Sequence, residues 1–202
     1  YHRRRYHCAV LTHFQIGLPV LMITEFYVAS PALYYAALAV LGLIIGSFLN
    51  VVIHRLPISL QHDWKSQCSE LLEQPFDTPP PDNIAYPGSR CPQCKTGIRF
   101  WQNIPLISYL LLRGKCASCR HSIGLRYPFV ELFTAVLTVL VGSAFPNPAL
   151  PWMLVLGWAL ICLTFIDFDQ QLLPDIITLP LLWLGLIYHA TSDTLVSPTD
   201  AI

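Results

Sequence analysis

The sequence predicts an all-α polytopic membrane protein with about four transmembrane helices and a four-cysteine zinc-knuckle loop. Hydrophobic residues make up 54% of the 202 residues and charged residues only 12%, whereas soluble domains carry roughly a quarter charged residues. A membrane-spanning helix needs about 20 mostly apolar residues. Four apolar segments qualify or come close, namely 32–53, 129–145, 151–166 and 176–190.

A fifth apolar segment, residues 8–30, is interrupted by polar side chains at His13, Gln15 and Glu25. Three arginines precede it, and a small residue, Ser30, stands at its end. A basic start followed by an apolar stretch is also typical of a signal peptide. Residues 1–31 therefore form an atypical N-terminal segment, either an additional span or a signal-like stretch.

The first of the four spans contains a small-xxx-small pattern, Gly42 and Gly46. Glycines four residues apart lie on one helix face and allow another helix to approach closely. Asn50 and His54 are also four apart, and interfacial hydrogen bonding is the simpler role for both. We expect Pro57 to end this helix because proline lacks the N–H that a helix interior needs.

The basic residues predict the topology. Nine of the twelve Lys and Arg lie between Arg55 and Arg126, and none follows Arg126. Because cytoplasmic loops collect Lys and Arg, residues 54–127 are expected to form a cytoplasmic loop, and residues 128–202 the remaining spans. The net charge of zero gives no indication of a nucleic-acid partner.

Two Cys-x-x-Cys pairs, Cys91/Cys94 and Cys116/Cys119, are separated by twenty-one residues inside this loop. Four thiolates at such spacing predict one tetrahedral, structural Zn²⁺. A pair of disulfides, four unliganded thiols and a redox role for Cys-x-x-Cys are the alternatives, and a cytoplasmic location disfavours disulfides. The turns are expected to use the neighbouring glycines, Gly97, Gly114 and Gly124.

Three carboxylates, Asp167, Asp169 and Asp175, stand between the last two apolar runs. A carboxylate beside a membrane-length apolar segment is costly and often functional, although a polar turn between two helices accounts for it equally well. Asp175 follows Pro174 at the expected start of a helix, where the helix dipole favours a negative charge. Glu131 is expected one turn inside its span, either as a helix-start carboxylate or as a polar member of a buried site.

Five motifs follow one another in the region from about residue 33 to 202. They are Gly46-Ser-Phe-Leu-Asn-Val-Val-Ile-His-Arg-Leu-Pro57, the paired cysteine knuckles, Trp101-Gln-Asn-Ile-Pro105, Arg126-Tyr-Pro-Phe-Val-Glu131 and Ile166-Asp-Phe-Asp-Gln-Gln-Leu-Leu-Pro-Asp175. In order and spacing they closely resemble the bacterial prepilin leader peptidases/N-methyltransferases, which serve type IV pilus biogenesis and type II secretion.

The resemblance implies a multi-pass enzyme of the bacterial inner membrane that cleaves the leader peptides of prepilins and pseudopilins at the cytoplasmic face. It also implies methylation of the new N-terminal residue with S-adenosylmethionine. Asp167 matches one of the family's two catalytic aspartates, with Asp169 and Asp175 in supporting roles. Gly46 and Glu131 are candidates for the methylation step, together with the zinc loop. No Gly-x-Gly-x-x-Gly loop marks a cofactor site.

The family's second catalytic aspartate belongs to a Gly-x-Gly-Asp motif, which these 202 residues lack. We therefore expect the chain to be an N-terminal portion of the enzyme and to be inactive as a protease by itself. The alternative is a non-catalytic, membrane-anchored zinc-knuckle module that binds a prepilin or a membrane partner.

Overall fold

A computed structural model of the chain describes residues 25, 27–84, 88–91, 93–98, 106–145 and 149–191. Within these ranges the fold is helical and has no β-strand. The helices are α1 (Pro31–Leu71), α2 (Ile107–Leu111), α3 (Arg126–Ala144), α4 (Leu150–Gln170) and α5 (Asp175–Thr191). The predicted segment 8–30 falls almost wholly outside the described residues, and so does the motif 101–105.

Among the described helices, α1, α3 and α4 are long and apolar enough to cross a membrane, and α5 is a shorter apolar helix. The four predicted spans correspond to these four helices. Many large apolar side chains on them are exposed, for example Ile44, Leu140 and Leu160. Such exposure is unfavourable in water and suits hydrocarbon, so the predicted helical membrane fold is confirmed.

The first helix is much longer than the span within it. Helix α1 has 41 residues, which corresponds to ~60 Å, about twice the ~30 Å thickness of the hydrocarbon core. The expectation that Pro57 ends the helix is wrong, because Pro57 is buried inside α1. The missing backbone hydrogen bond is offset by packing on both sides of it, since Ile53, Leu56 and Leu60 all contact one hydrophobic cluster.

The two glycines of α1 allow α3 to cross at backbone contact. A Cβ atom added at Gly42 would lie 2.6 Å from Cα of Ala135, and one at Gly46 would lie 2.7 Å from Cα of Glu131. Both distances are far below a normal carbon contact, which is about 3.5–4.0 Å. The predicted close helix approach is therefore confirmed, and it places Glu131 directly beside Gly46.

Gly42→Leu is expected to destabilise the helical bundle by roughly 3 kcal/mol, because the new side chain must push α3 away. Gly185→Leu is the matched control, since nothing lies within 4 Å of the corresponding Cβ position in α5. The control should be neutral or slightly stabilising, because leucine favours a helix more than glycine does. Unfolding in mixed micelles, followed by circular dichroism, measures both changes. Equal stability of the two variants would contradict the close crossing.

Candidate functional site

The four cysteine thiols of the loop converge on one point. The Sγ atoms of Cys91 and Cys119 are 3.7 Å apart, those of Cys94 and Cys116 are 4.0 Å apart, and all four lie within 4.8 Å of one another. Tetrahedral coordination with Zn–S bonds of about 2.3 Å requires sulfur separations of about 3.8 Å. The thiols are free rather than disulfide-bonded, so the cluster is close enough to hold a metal ion and consistent with structural Zn²⁺.

The two cysteine pairs fold into matching turns. In the first, Lys95 N donates to Cys91 O over 2.9 Å and Cys91 N donates to Thr96 O over 3.0 Å. In the second, Arg120 N donates to Cys116 O over 3.0 Å and Cys116 N donates to His121 O over 2.8 Å. The repeated hydrogen bonds bring the sulfur atoms of each pair to the same side of its turn.

The expectation that glycine supplies these turns is only partly correct. Gly114 has a φ of +67°, but neither Gly97 nor Gly124 has a positive φ. The left-handed residues are Lys95 and Arg120, each with a φ of 57°. A non-glycine residue in this conformation costs of the order of 1 kcal/mol, which the hydrogen bond donated by its own backbone N–H offsets.

Hydrogen bonds within the cluster favour the thiolate forms of Cys94 and Cys116. Two hydrogen bonds with Thr96 lower the pKa of Cys94 to about 6, and the bond with its side chain has a larger effect than the bond with its backbone. Backbone hydrogen bonds from Cys119 and Ser118 lower the pKa of Cys116. Since only the thiolate binds metal, the shifts of Cys94 and Cys116 suit the metal-ligand interpretation. The pKa of Cys119 moves the other way, to about 11, because a backbone hydrogen bond from His121 lowers it less than burial and the hydrogen bonds with the other three thiols together raise it.

The aspartate that the resemblance matches to a catalytic residue lies at the end of α4. Asp167 lies in the last turn of α4 and its side chain is exposed. Its carbonyl oxygen accepts a hydrogen bond of 2.8 Å from Gln171 N, and Gln171 ends the helix in the left-handed conformation. Ile166, the preceding residue, is completely buried. The backbone at Asp167 is thus held by the core and by the helix cap, while its carboxylate forms no hydrogen bond with any described residue.

Asp169, unlike Asp167, is already paired. Its Oδ2 lies 2.5 Å from Nη2 of Arg126 at the start of α3, and the same guanidinium stands 5.4 Å above the ring of Phe165. The next residue, Gln170, accepts a hydrogen bond of 2.9 Å from Gln61, which lies in the part of α1 after Pro57. These contacts tie the end of α4 to α1 and α3.

The predicted site residues share one end of the helical bundle. The end of α4 contacts the start of α3. The segment between α1 and α3, residues 72–125, carries the four clustered cysteines and is called the cysteine loop below. Asp175 is in the first turn of α5, as predicted. No hydrogen bond or ion pair among the described residues joins Asp167 to Asp169 or Asp175, so the structure does not pair Asp167 with either of them.

A cleft of about 790 Å³ lies between α1, the start of α3 and the cysteine loop. Glu131 lines it, and its Oε2 accepts a hydrogen bond of 2.9 Å from Leu106 N. Ser47 hydrogen bonds to the same carboxylate. Glu131 is past the first turn of α3, so the helix-start interpretation is wrong and it is a polar member of this cleft.

Asn50 joins the cleft to the start of α3. Its side chain is buried, and Nδ2 donates a 3.0 Å hydrogen bond to Tyr127 O. This is the interfacial hydrogen bond that the sequence predicts for Asn50. His54, one turn further along α1, is exposed and also lines the cleft.

Sequence reasoning missed two contacts, Arg126 with Asp169 and Leu106 N with Glu131. The sequence could have indicated the first contact, because Arg126 is the last Lys or Arg of the chain and the topology placed it at the membrane edge that Asp169 occupies. Nothing in the sequence could have indicated the second contact, because its donor is the backbone amide of an apolar residue.

Two protein-family models match this chain, and together they cover most of the described helices. The model of the bacterial peptidase A24 N-terminal domain matches residues 40–145, and that of the type IV leader peptidase family matches residues 154–202. The chain is 50% identical over 171 residues to a prepilin leader peptidase/N-methyltransferase of Stutzerimonas stutzeri, which covers 82% of this chain and 58% of the relative.

Two further relatives carry the same name. One, from Pseudomonas aeruginosa, is 48% identical over 167 residues, or 80% of this chain and 57% of the relative. The other, from Neisseria gonorrhoeae, is 51% identical over 157 residues, or 75% of this chain and 54% of the relative. The match thus spans less than two thirds of each of these relatives. No solved structure matches the chain significantly.

Proposed function

Because this chain belongs to the type IV leader peptidase family of bacteria, we propose that it contributes one catalytic aspartate to a membrane aspartic endopeptidase. The substrates are the leader peptides of type IV prepilins and pseudopilins. The observation that carries the proposal is Asp167, an exposed carboxylate at the end of a membrane helix. Its carboxylate has no partner among the described residues, and its backbone is held by the helix cap. Asp169 and Asp175 support it structurally, one by pairing with Arg126 and the other by starting α5.

The proposed chemistry requires a second carboxylate. In an aspartic dyad one ionised carboxylate takes a proton from water, while its protonated neighbour polarises the scissile carbonyl group. Two adjacent carboxylates share one proton because both cannot ionise easily. The family's second aspartate belongs to Gly-x-Gly-Asp, which the 202 residues do not contain. We therefore propose that these residues do not cleave prepilin alone.

The proposed location is the bacterial inner membrane, with the cysteine loop and Asp167 on the cytoplasmic side. The nine Lys and Arg between Arg55 and Arg126 support this orientation. The basic leader of a prepilin would then meet the membrane at the end of the bundle where Asp167 is exposed. We propose a structural role for Zn²⁺, which would hold the two halves of the loop over the cleft.

The second proposed activity is N-methylation of the new N-terminal residue. S-adenosylmethionine supplies the methyl group when it is bound. Ligand pockets commonly have volumes of roughly 300–1,000 Å³, so the 790 Å³ cleft is large enough for this cofactor. Tyr109 and Tyr127 line it, and aromatic side chains suit contact with a purine. Gly46 keeps α1 close to α3 beside Glu131, which shapes this wall of the cleft.

An assay of assembled halves tests the proposal. The 202-residue chain is reconstituted in lipid alone, and also together with a segment of a family member that contains Gly-x-Gly-Asp. We expect prepilin cleavage only in the combined sample, because only it contains both aspartates. Mass spectrometry of the prepilin detects loss of the leader and any added methyl group.

Absence of cleavage in the combined sample, together with retained prepilin binding, would favour the non-catalytic zinc-knuckle module instead. The added segment by itself is the control for activity that does not depend on this chain.

A further inference from the structure

Among the residues that the structure describes, no cation forms an ion pair with the carboxylate of Glu131. Its two hydrogen-bond donors, Leu106 N and the Ser47 hydroxyl, are both neutral. The Arg/Lys ion pair formed by the described residues is Arg126 with Asp169, and the contact of His62 with Asp63 does not involve Glu131 either. A half-buried carboxylate without a cation is unfavourable in a low-dielectric environment. A positively charged ligand group would remove that cost.

The side chains on the other walls of the cleft indicate which kind of ligand would carry this positively charged group. Apolar side chains line a large part of it, among them Val51, Ile58, Leu112 and Ile123. Arg55, which also lines the cleft, donates to the carbonyl oxygens of residues 83 and 84 rather than to Glu131. A ligand that fits is therefore apolar along its length and cationic at one end.

We propose that Glu131 binds the free α-amino group of a peptide whose apolar N-terminal residues lie in this cleft. The peptide would be the mature amino terminus that leader cleavage exposes, so the inference rests on the proposed function. An ammonium group has three N–H donors, and a carboxylate has about four lone-pair sites. The two hydrogen bonds already made leave Glu131 able to accept from the amine.

The position of Glu131 suits this role. It follows Arg126 by five residues on α3, a distance of about 7.5 Å along the helix axis. Arg126 in turn contacts Asp169, which is two residues beyond Asp167. An amine released near Asp167 would therefore have Glu131 at the same end of the bundle, on a wall of the cleft.

The carboxylate would also prepare the amine for methylation. A protonated amine has no lone pair and is not a nucleophile. Transfer of one proton breaks an N–H bond of the ammonium group and forms an O–H bond on Glu131. The neutral amine that results has the electron pair that methyl transfer needs.

A binding experiment on the full 202-residue chain, zinc-loaded and in lipid nanodiscs, tests the inference. Two peptides with the same apolar sequence and a C-terminal fluorophore are compared, one with a free amino terminus and one N-acetylated. Fluorescence anisotropy should show that the free peptide binds at least about tenfold more tightly, as expected for a hydrogen bond between charged groups. Glu131→Gln should remove this preference and leave the affinity for the acetylated peptide unchanged.

Glu70→Gln is the matched control, because Glu70 is exposed near the end of α1 and should not affect either affinity. Equal binding of the two peptides by the unaltered chain would overturn the inference, and that comparison does not depend on the folding of any variant. Failure of both peptides to bind would overturn it too. A preference retained in Glu131→Gln would assign the amine to another group. None of these results depends on cleavage, so the peptidase proposal stands or falls separately.

Discussion

Asp167→Asn is expected to abolish prepilin cleavage by the chain assembled with the Gly-x-Gly-Asp segment of a family member, with a rate at least about 10³-fold lower. An asparagine amide cannot take a proton from water, and general-base catalysis contributes about 10²–10⁴-fold in rate. The change should not disturb the fold, because the Asp167 side chain is exposed and only its carbonyl oxygen accepts the hydrogen bond that ends α4. Initial cleavage rates and circular dichroism measure the two effects.

The neighbouring aspartates provide matched controls for this prediction. Asp169→Asn loses the ion pair with Arg126, and a partly exposed pair contributes only about 0–1 kcal/mol. We therefore expect cleavage to fall about fivefold or less. Asp175→Asn keeps a side chain suited to a helix start and should change cleavage as little. Substantial cleavage by Asp167→Asn would remove Asp167 from the catalytic pair. Cleavage by the 202 residues alone, lost on Asp167→Asn, would contradict the need for a second segment.

Cys94→Ser is expected to reduce bound zinc from about one ion per chain to nearly none, and to expose the loop to proteases. Structural zinc sites contribute roughly 10 kcal/mol or more to the folding of small domains. Within the described part of the loop, strand-like pairing is limited to two isolated β-bridges, Arg90 with Gly97 and Lys115 with Ser122, which cannot replace this contribution. Zinc content by elemental analysis and limited proteolysis with mass mapping measure the two effects.

Cys68→Ser is the control for this change, because Cys68 is an exposed free cysteine outside the cluster. Zinc content and protease resistance should remain unchanged in it. Helices α1, α3 and α4 should keep their circular dichroism in Cys94→Ser, because the hydrophobic cluster that joins them contains none of the four loop cysteines. Unchanged protease resistance after complete chelation would show that the metal does not stabilise the loop.

The sequence alone determined the features that depend on local composition and spacing. Apolar runs of membrane length predicted the helices that the structure contains. The two Cys-x-x-Cys pairs predicted a four-thiol cluster, because four ligands at that spacing have few other uses. The Gly42–Gly46 pattern predicted a backbone-level helix crossing, because a missing side chain has the same consequence in any helix.

The tertiary structure decided what depends on contacts between distant residues. Pro57 continues α1 because cluster contacts on both sides of it outweigh one lost hydrogen bond. Glu131 faces the cleft because a loop amide reaches it across 25 residues of sequence. Asp169 differs from Asp167 because Arg126 approaches only one of them. Spacing along a chain constrains which side chains share a face, but only packing determines which distant group arrives there.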